Sequence, residues 1–163
     1  MSEFFTFPNP VNEKAARVVA GVVAAVALLI LLTGWHWLLV PLAYGFLARV
    51  ATGPTLSPLG RFAMRVVAPR LGEPRLVPGP PKRFAQGIGA VCTTLAAIFA
   101  LALGWTLAAD LLTGMIFVFA TLESVVAFCA GCTIFAALMR IGVIPEKTCE
   151  ACADFWARTP EPA

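Results

Sequence analysis

Four of the chain's five cysteines form two closely spaced pairs, Cys129-Ala-Gly-Cys132 and Cys149-Glu-Ala-Cys152, with sixteen residues between them. Thiols gathered in this way can exchange electrons, pass sulfane sulfur or hold a metal. The spacing falls within the interval of about fifteen to twenty residues that separates the C-x2-C pairs of four-cysteine zinc sites. An iron–sulfur cluster would use the same four ligands. Both metal readings meet one difficulty. Zinc knuckles sit on turns, whereas Cys129 and Cys132 fall within a long apolar run expected to be helical and to lie in lipid. Thiol chemistry instead needs a thiolate able to attack, which helix starts and nearby cations favour. Cys149 meets that condition in the first turn expected after Pro145, beside Lys147. On a cytoplasmic face, thiols are kept reduced, which leaves a transient disulfide, a persulfide or a metal. Cys92 stands alone in an apolar run and reads as a small buried hydrophobe.

Two other groups bear on the chemistry. Glu123 is the one acid well inside an apolar stretch, and such acids face a bundle interior, where they serve a proton path or a partner. On an unbroken helix at about 100° per residue it points away from Cys132, towards a neighbouring polar group such as Thr93 or Thr94. His36 is the only histidine and falls at the opposite end of the expected helices. That excludes a His/Cys catalytic pair, a bis-histidine haem and a zinc protease motif within this chain. There is no phosphate-binding glycine loop.

The elements that must position these residues belong to a membrane protein. Of 163 residues 60% are hydrophobic and 13% charged, with a mean hydropathy of +0.86; soluble domains carry about 25% charged residues. The twelve Lys and Arg fall in three blocks, Lys14 to Arg17, Arg49 to Arg83, and Arg140 to Arg158. Two apolar stretches separate the blocks. The expected fold is all-α, a four-helix membrane bundle of two hairpins with spans at 14–33, 36–52, 84–108 and 111–140. This arrangement sets every basic residue on one side, which the positive-inside rule makes the cytoplasm, with both termini there and the plasma (inner) membrane as the location. Basic loops beside spans also explain the charge without nucleic acid. The Lys14/Arg17 segment and its apolar run lack a small-residue cleavage site and so read as a retained span.

Within this plan Trp35, Trp37 and Trp105 anchor the far interface. The second span is short, with Pro41 near its start. The 53–83 connection holds seven prolines, four glycines and six basic residues. Inside it Ser57 and Pro58 start an amphipathic interfacial helix with Leu59, Phe62, Ala63, Val66 and Val67 opposite Arg61 and Arg65, ended by Pro69. Gly131, between the first two cysteines, lets another backbone come near. Gly142 and Pro145 end the last span, and a short cytoplasmic tail helix carries Cys149 and Cys152.

Five segments together resemble an uncharacterised bacterial membrane family, domain of unknown function 4395, in its actinobacterial form. They are Phe7-Pro-Asn-Pro-Val-Asn-Glu13, Gly53-Pro-Thr-Leu-Ser-Pro-Leu-Gly60, Gly79-Pro-Pro-Lys-Arg-Phe-Ala-Gln86, Phe128-Cys-Ala-Gly-Cys132 and Ile144-Pro-Glu-Lys-Thr-Cys149. The resemblance implies a four-helix membrane protein with thioredoxin-like and sulfurtransferase neighbours, and it implies no substrate.

The functional expectation is a membrane thiol protein, a thiol-disulfide oxidoreductase or sulfur-transfer partner. Cys149 and Cys152 trade electrons or sulfur with a soluble partner, and Cys129 with Cys132 receive them. The basic 53–83 loop docks that partner or anionic lipid. The alternatives are a zinc-clamped or iron–sulfur subunit of a larger membrane complex, in which the same four cysteines are ligands, and a transporter of a small sulfur species, for which four short helices need oligomerisation.

Overall fold

Asn12 starts the first helix: its side chain accepts from the Lys14 amide at 3.0 Å, and Glu13 supplies the negative charge that a helix N-terminus favours. In the computed structural model, which describes residues 9–145, α1 runs Glu13–Thr33 and stops at Gly34 in the left-handed region, φ 70°. A 3-10 turn, His36–Leu38, leads into α2, Leu39–Thr52. The expected amphipathic segment forms as α3, Pro58–Phe62, with Ser57 as its cap, and continues through a π turn, Ala63–Val67, and a 3-10 turn, Ala68–Leu71. It therefore passes through Pro69 and ends at Gly72. β1, Val11–Asn12, pairs antiparallel with β2, Leu76–Val77, and is the only sheet among the described residues.

The next helix, α4, spans Gly79–Ala97 and carries on as a π segment, Ile98–Ala102. It begins five residues before the expected start at 84, because Pro80 and Pro81 occupy its first turn, where proline's fixed φ suits a helix and its missing N–H costs nothing. Lys82 and Arg83 thus belong to the helix and not to the preceding loop. After Gly104, also left-handed at φ 67°, come α5, Thr106–Val126, and α6, Ala130–Arg140. The expected single helix over 111–140 is therefore two. Ala127 at φ 61° ends α5, and the chain runs extended through Cys129 before α6 begins.

The described chain is all-helical apart from the two-residue strands. Three helices, Glu13–Thr33, Gly79–Ala102 and Thr106–Val126, are long and apolar enough to cross a membrane. With fourteen residues α2 reaches about 21 Å at 1.5 Å per residue. Consecutive helices are not the principal packing partners. α1 lies chiefly on α5 and α2 on α4, α4 joins the two pairs, and α6 packs on α4. The buried positions are largely alanines (Ala20, Ala24, Ala27, Ala90, Ala109, Ala120), while large apolar side chains such as Leu32, Leu107, Leu111 and Val125 face outward. A thin core of small residues beneath an apolar exterior is the packing expected of helices in lipid. The residues before 9 and after 145, including the expected tail helix, Cys149 and Cys152, lie outside the described residues.

A left-handed residue with a side chain costs roughly 1–2 kcal/mol, and Ala127 is the one described non-glycine residue with positive φ. Ala127→Gly is therefore expected to stabilise the protein by about 1 kcal/mol. Thermal melting in detergent checks this, and a lowered midpoint would mean that the α5–α6 break is not the ground state.

Candidate functional site

Three helix ends converge where α5 stops. Arg17 of α1 donates from Nε to the Ser124 carbonyl and from Nη2 to the Val125 carbonyl, both at 3.0 Å. A cation thus caps the carbonyl end of α5. Arg83 donates to the Val50 carbonyl at 3.0 Å and serves the end of α2 in the same way. Between them Lys82 of α4 donates to Glu123 of α5 at 2.5 Å, with side chains only 10% and 15% exposed. This pairing corrects the expectation for Glu123. Its partner is Lys82, while the Thr93 hydroxyl bonds to carbonyls of its own helix, Gly89 at 2.7 Å and Ala90 at 3.2 Å. Because the helix breaks at Ala127, Glu123 does not point away from the cysteines. It lines the same cavity as Cys129.

Cys129 is the N-cap of α6. Its backbone is extended, φ −103° and ψ 104°, and its Sγ accepts the Cys132 amide at 3.4 Å. It thus takes the position usually held by a serine or aspartate oxygen. Gly131 lets this helix start reach α4: a Cβ there would lie 2.5 Å from Ala85 Cα. The Phe84 and Phe135 rings, 5.6 Å apart, continue the contact. The Cys132 thiol, hydrogen-bonded to Cys129, holds the Cys129 thiol below its ordinary value. Lys82 and the Cys132 amide act in the same direction, against burial and Glu123. Cys132, the proton donor of the pair, is pushed up. Helix starts and adjacent cations favour thiolates for this same reason. Cys129 and Cys132 are not joined by a disulfide.

A cavity of about 110 Å³ opens beside Cys129 between α1, α2, α4, α5 and the start of α6. Arg49, Gln86 and Glu123 line it on the polar side, and Val23, Ile116 and Phe119 on the apolar side. Arg49 is 7% exposed. It donates from Nε to Gln86 Oε1 at 2.8 Å and from Nη1 to Ser57 Oγ at 3.4 Å, and its guanidinium lies 4.6 Å from the centre of the Phe46 ring. At the opposite end of the bundle His36 Nε2 meets Asp110 Oδ1 at 2.8 Å, binding the first turn to α5.

Of the residues singled out from sequence, Cys129, Cys132 and Glu123 come together, and Cys92 lines the same cavity. Cys149 and Cys152 lie outside the described residues. Sequence reasoning missed Lys82 and Arg49 as members of the site, and Asp110 as the partner of His36. Lys82 has a signal in the double proline, which marks a helix start. For Arg49 the signal is a cation on the inner face of a short apolar helix. No group of three or more His, Cys, Asp or Glu side chains able to hold a metal occurs among the described residues.

The buried ion pair gives a direct test. Removing one partner strands the other charge, at about 3–5 kcal/mol, whereas replacing both by apolar groups can be nearly neutral. Lys82→Met and Glu123→Leu should each lower the melting temperature steeply, and the double variant should recover most of the loss. Additive losses in a double-mutant cycle would show that the two side chains act independently.

No curated protein and no solved structure matches the chain. The family model described as Domain of unknown function (DUF4395) matches residues 11–140, and the chain belongs to that family.

Proposed function

We propose that this is a multi-pass plasma-membrane thiol protein, with the end that holds Arg17, Arg49, Lys82 and Arg83 in the cytoplasm, and that Cys129 is its attacking thiol. The observation that carries this reading is the cap geometry: Cys129 Sγ sits at the start of a helix, accepts the Cys132 amide at 3.4 Å and has Lys82 within electrostatic reach. In the exchange, the Cys129 thiolate attacks one sulfur of a partner's disulfide, and the released partner sulfur leaves with the bonding electrons as a thiolate. Cys132, after losing its proton, attacks Cys129 Sγ in the mixed disulfide. A Cys129–Cys132 disulfide forms and the partner leaves as a dithiol. Cys149 and Cys152 would reduce that disulfide by the same steps, themselves becoming the oxidised pair. The outward basic groups, Arg61, Arg65 and Arg70, favour an acidic partner surface or anionic lipid.

A four-thiolate zinc clamp is the second reading, favoured by one feature: Cys129 lies on a helix break, so the objection that both cysteines sit inside a helix no longer holds. With Cys149 and Cys152 as the other ligands, zinc would fix the tail against α6.

The pH profile of Cys129 alkylation by iodoacetamide in the full chain, read by mass spectrometry, tests the first reading. Four charged or titratable groups face this thiol: Cys132 of α6, Lys82 of α4, Glu123 of α5 and Arg49 of α2. A lowered thiol pKa leaves more thiolate at neutral pH, so the midpoint should fall below the ordinary value of about 8.5. Cys132→Ser and Lys82→Met should raise it, slowing the reaction at pH 7 by up to about tenfold per unit. An ordinary midpoint, or an unreactive Cys129, would overturn the relay. About one zinc per chain with all four thiols protected would replace it with the clamp.

A further inference from the structure

Arg49 Nη2 is a buried donor with no hydrogen-bond partner among the described residues. A buried guanidinium nitrogen left unpaired is costly, because a charged donor without an acceptor gives up its hydration and gains no bond in return. Such orphaned groups mark either strain or a place where something binds. Here the other nitrogens are taken: Nε by Gln86 and Nη1 by Ser57, with the Phe46 ring beside the guanidinium. The side chain is thus held in place with its Nη2 unpartnered. Arg49 lines both the 110 Å³ cavity that contains Cys129 and an adjoining one of about 80 Å³ that contains Lys82. Glu123, the acid in this group, is bonded to Lys82, so two cations share one carboxylate and one positive charge is in excess.

We propose that the cavity is an anion subsite, in which Arg49 Nη2 binds the oxyanion end of a small substrate whose other end lies against Cys129. The class is set by three observations. The open donor is cationic, which selects an oxyanion. The volume admits a group the size of a few water molecules. Beyond Arg49, Cys129, and the Gln86 and Glu123 side chains already bonded to Arg49 and Lys82, the wall is chiefly apolar, with Val23, Ile116 and Phe119, and suits a small body with one charged end. The inference deepens the thiol reading, since it places a recognition element beside the proposed nucleophile. The subsite itself does not require Cys129 to react.

Two measurements on the full chain in detergent separate the ideas. In the first, Cys129 is alkylated by iodoacetate and by iodoacetamide, which differ chiefly in charge, and the ratio of the two rates is compared with that of free N-acetylcysteine. The ratio should be raised at Cys129 by about tenfold, the value of one charge-assisted hydrogen bond. Arg49→Gln should remove the excess and Arg49→Lys should keep part of it. Any effect of Arg49 on the thiolate itself cancels in the ratio. In the second, melting temperature is followed with millimolar sodium thiosulfate or sodium sulfate against chloride at equal ionic strength, using Cys129→Ser. Either oxyanion should raise the midpoint, and the rise should vanish when Arg49→Gln is added. If Arg49→Gln does not fold, the same comparison with Arg49→Lys should show a reduced rise. A rate ratio equal to that of N-acetylcysteine at a reactive Cys129, or a thermal shift that is absent or independent of Arg49, would overturn the subsite. A Cys129 that reacts with neither reagent defeats the thiol reading alone, and the thermal measurement then decides the subsite.

Discussion

The Lys82–Glu123 ion pair is the constraint around which this end of the molecule is arranged. Two charges removed from water are tolerated only when each is held close to the other, and at 2.5 Å with both side chains mostly buried neither helix can slide without separating them. The pair therefore fixes the first turn of α4 against the last turn of α5. Everything that meets there, including the end of α5, the start of α6 and the cavity beside Cys129, inherits its register from that contact.

Given that register, the break between α5 and α6 becomes intelligible. Three residues after Glu123 the helix stops, and the carbonyls it leaves without partners at Ser124 and Val125 are taken by Arg17. The left-handed turn at Ala127 then brings the chain back to α4, where Gly131 meets Ala85 and Phe135 meets Phe84. Gly131 is the enabling residue, because a side chain there would collide with the α4 backbone and lift the Cys129 cap away from Lys82. The cap, the ion pair, the guanidinium and the Arg17 contact thus share one scaffold of five helices, with residues contributed by positions as distant in sequence as 17, 49, 82, 123 and 129.

Much of the helical plan was legible in the sequence because its signals are local. Ser57-Pro58 at the head of α3 and Gly142 just past the end of α6 each act within a few residues. The apolar runs between basic blocks marked the long helices. The α5–α6 break was not legible: Ala127, Phe128 and Cys129 include neither glycine nor proline, and the residue that takes up the left-handed conformation is an alanine stabilised by distant contacts. Lys82 reads as a loop residue because Pro80 and Pro81 resemble a linker, whereas they form the first turn of α4. The break also redirects Glu123 relative to Cys132, since helical periodicity relates the two only along a helix that continues past Val126. The closeness of Cys129 to Cys132, and the role of Gly131 between them, were readable; the partners that tune them come from other helices.

The charge of the cluster explains why a thiol and an arginine sit together in so apolar a setting. With Lys82 and Glu123 paired, the Arg49 charge has no carboxylate of its own among the described residues, and an apolar surround makes any uncompensated charge expensive. A Cys129 thiolate would restore neutrality across the group, and so would an oxyanion held at Arg49 Nη2. The two are alternatives in electrostatic terms. On the proposed reading, the state of the sulfur and the binding of an anion would be linked through that one positive charge.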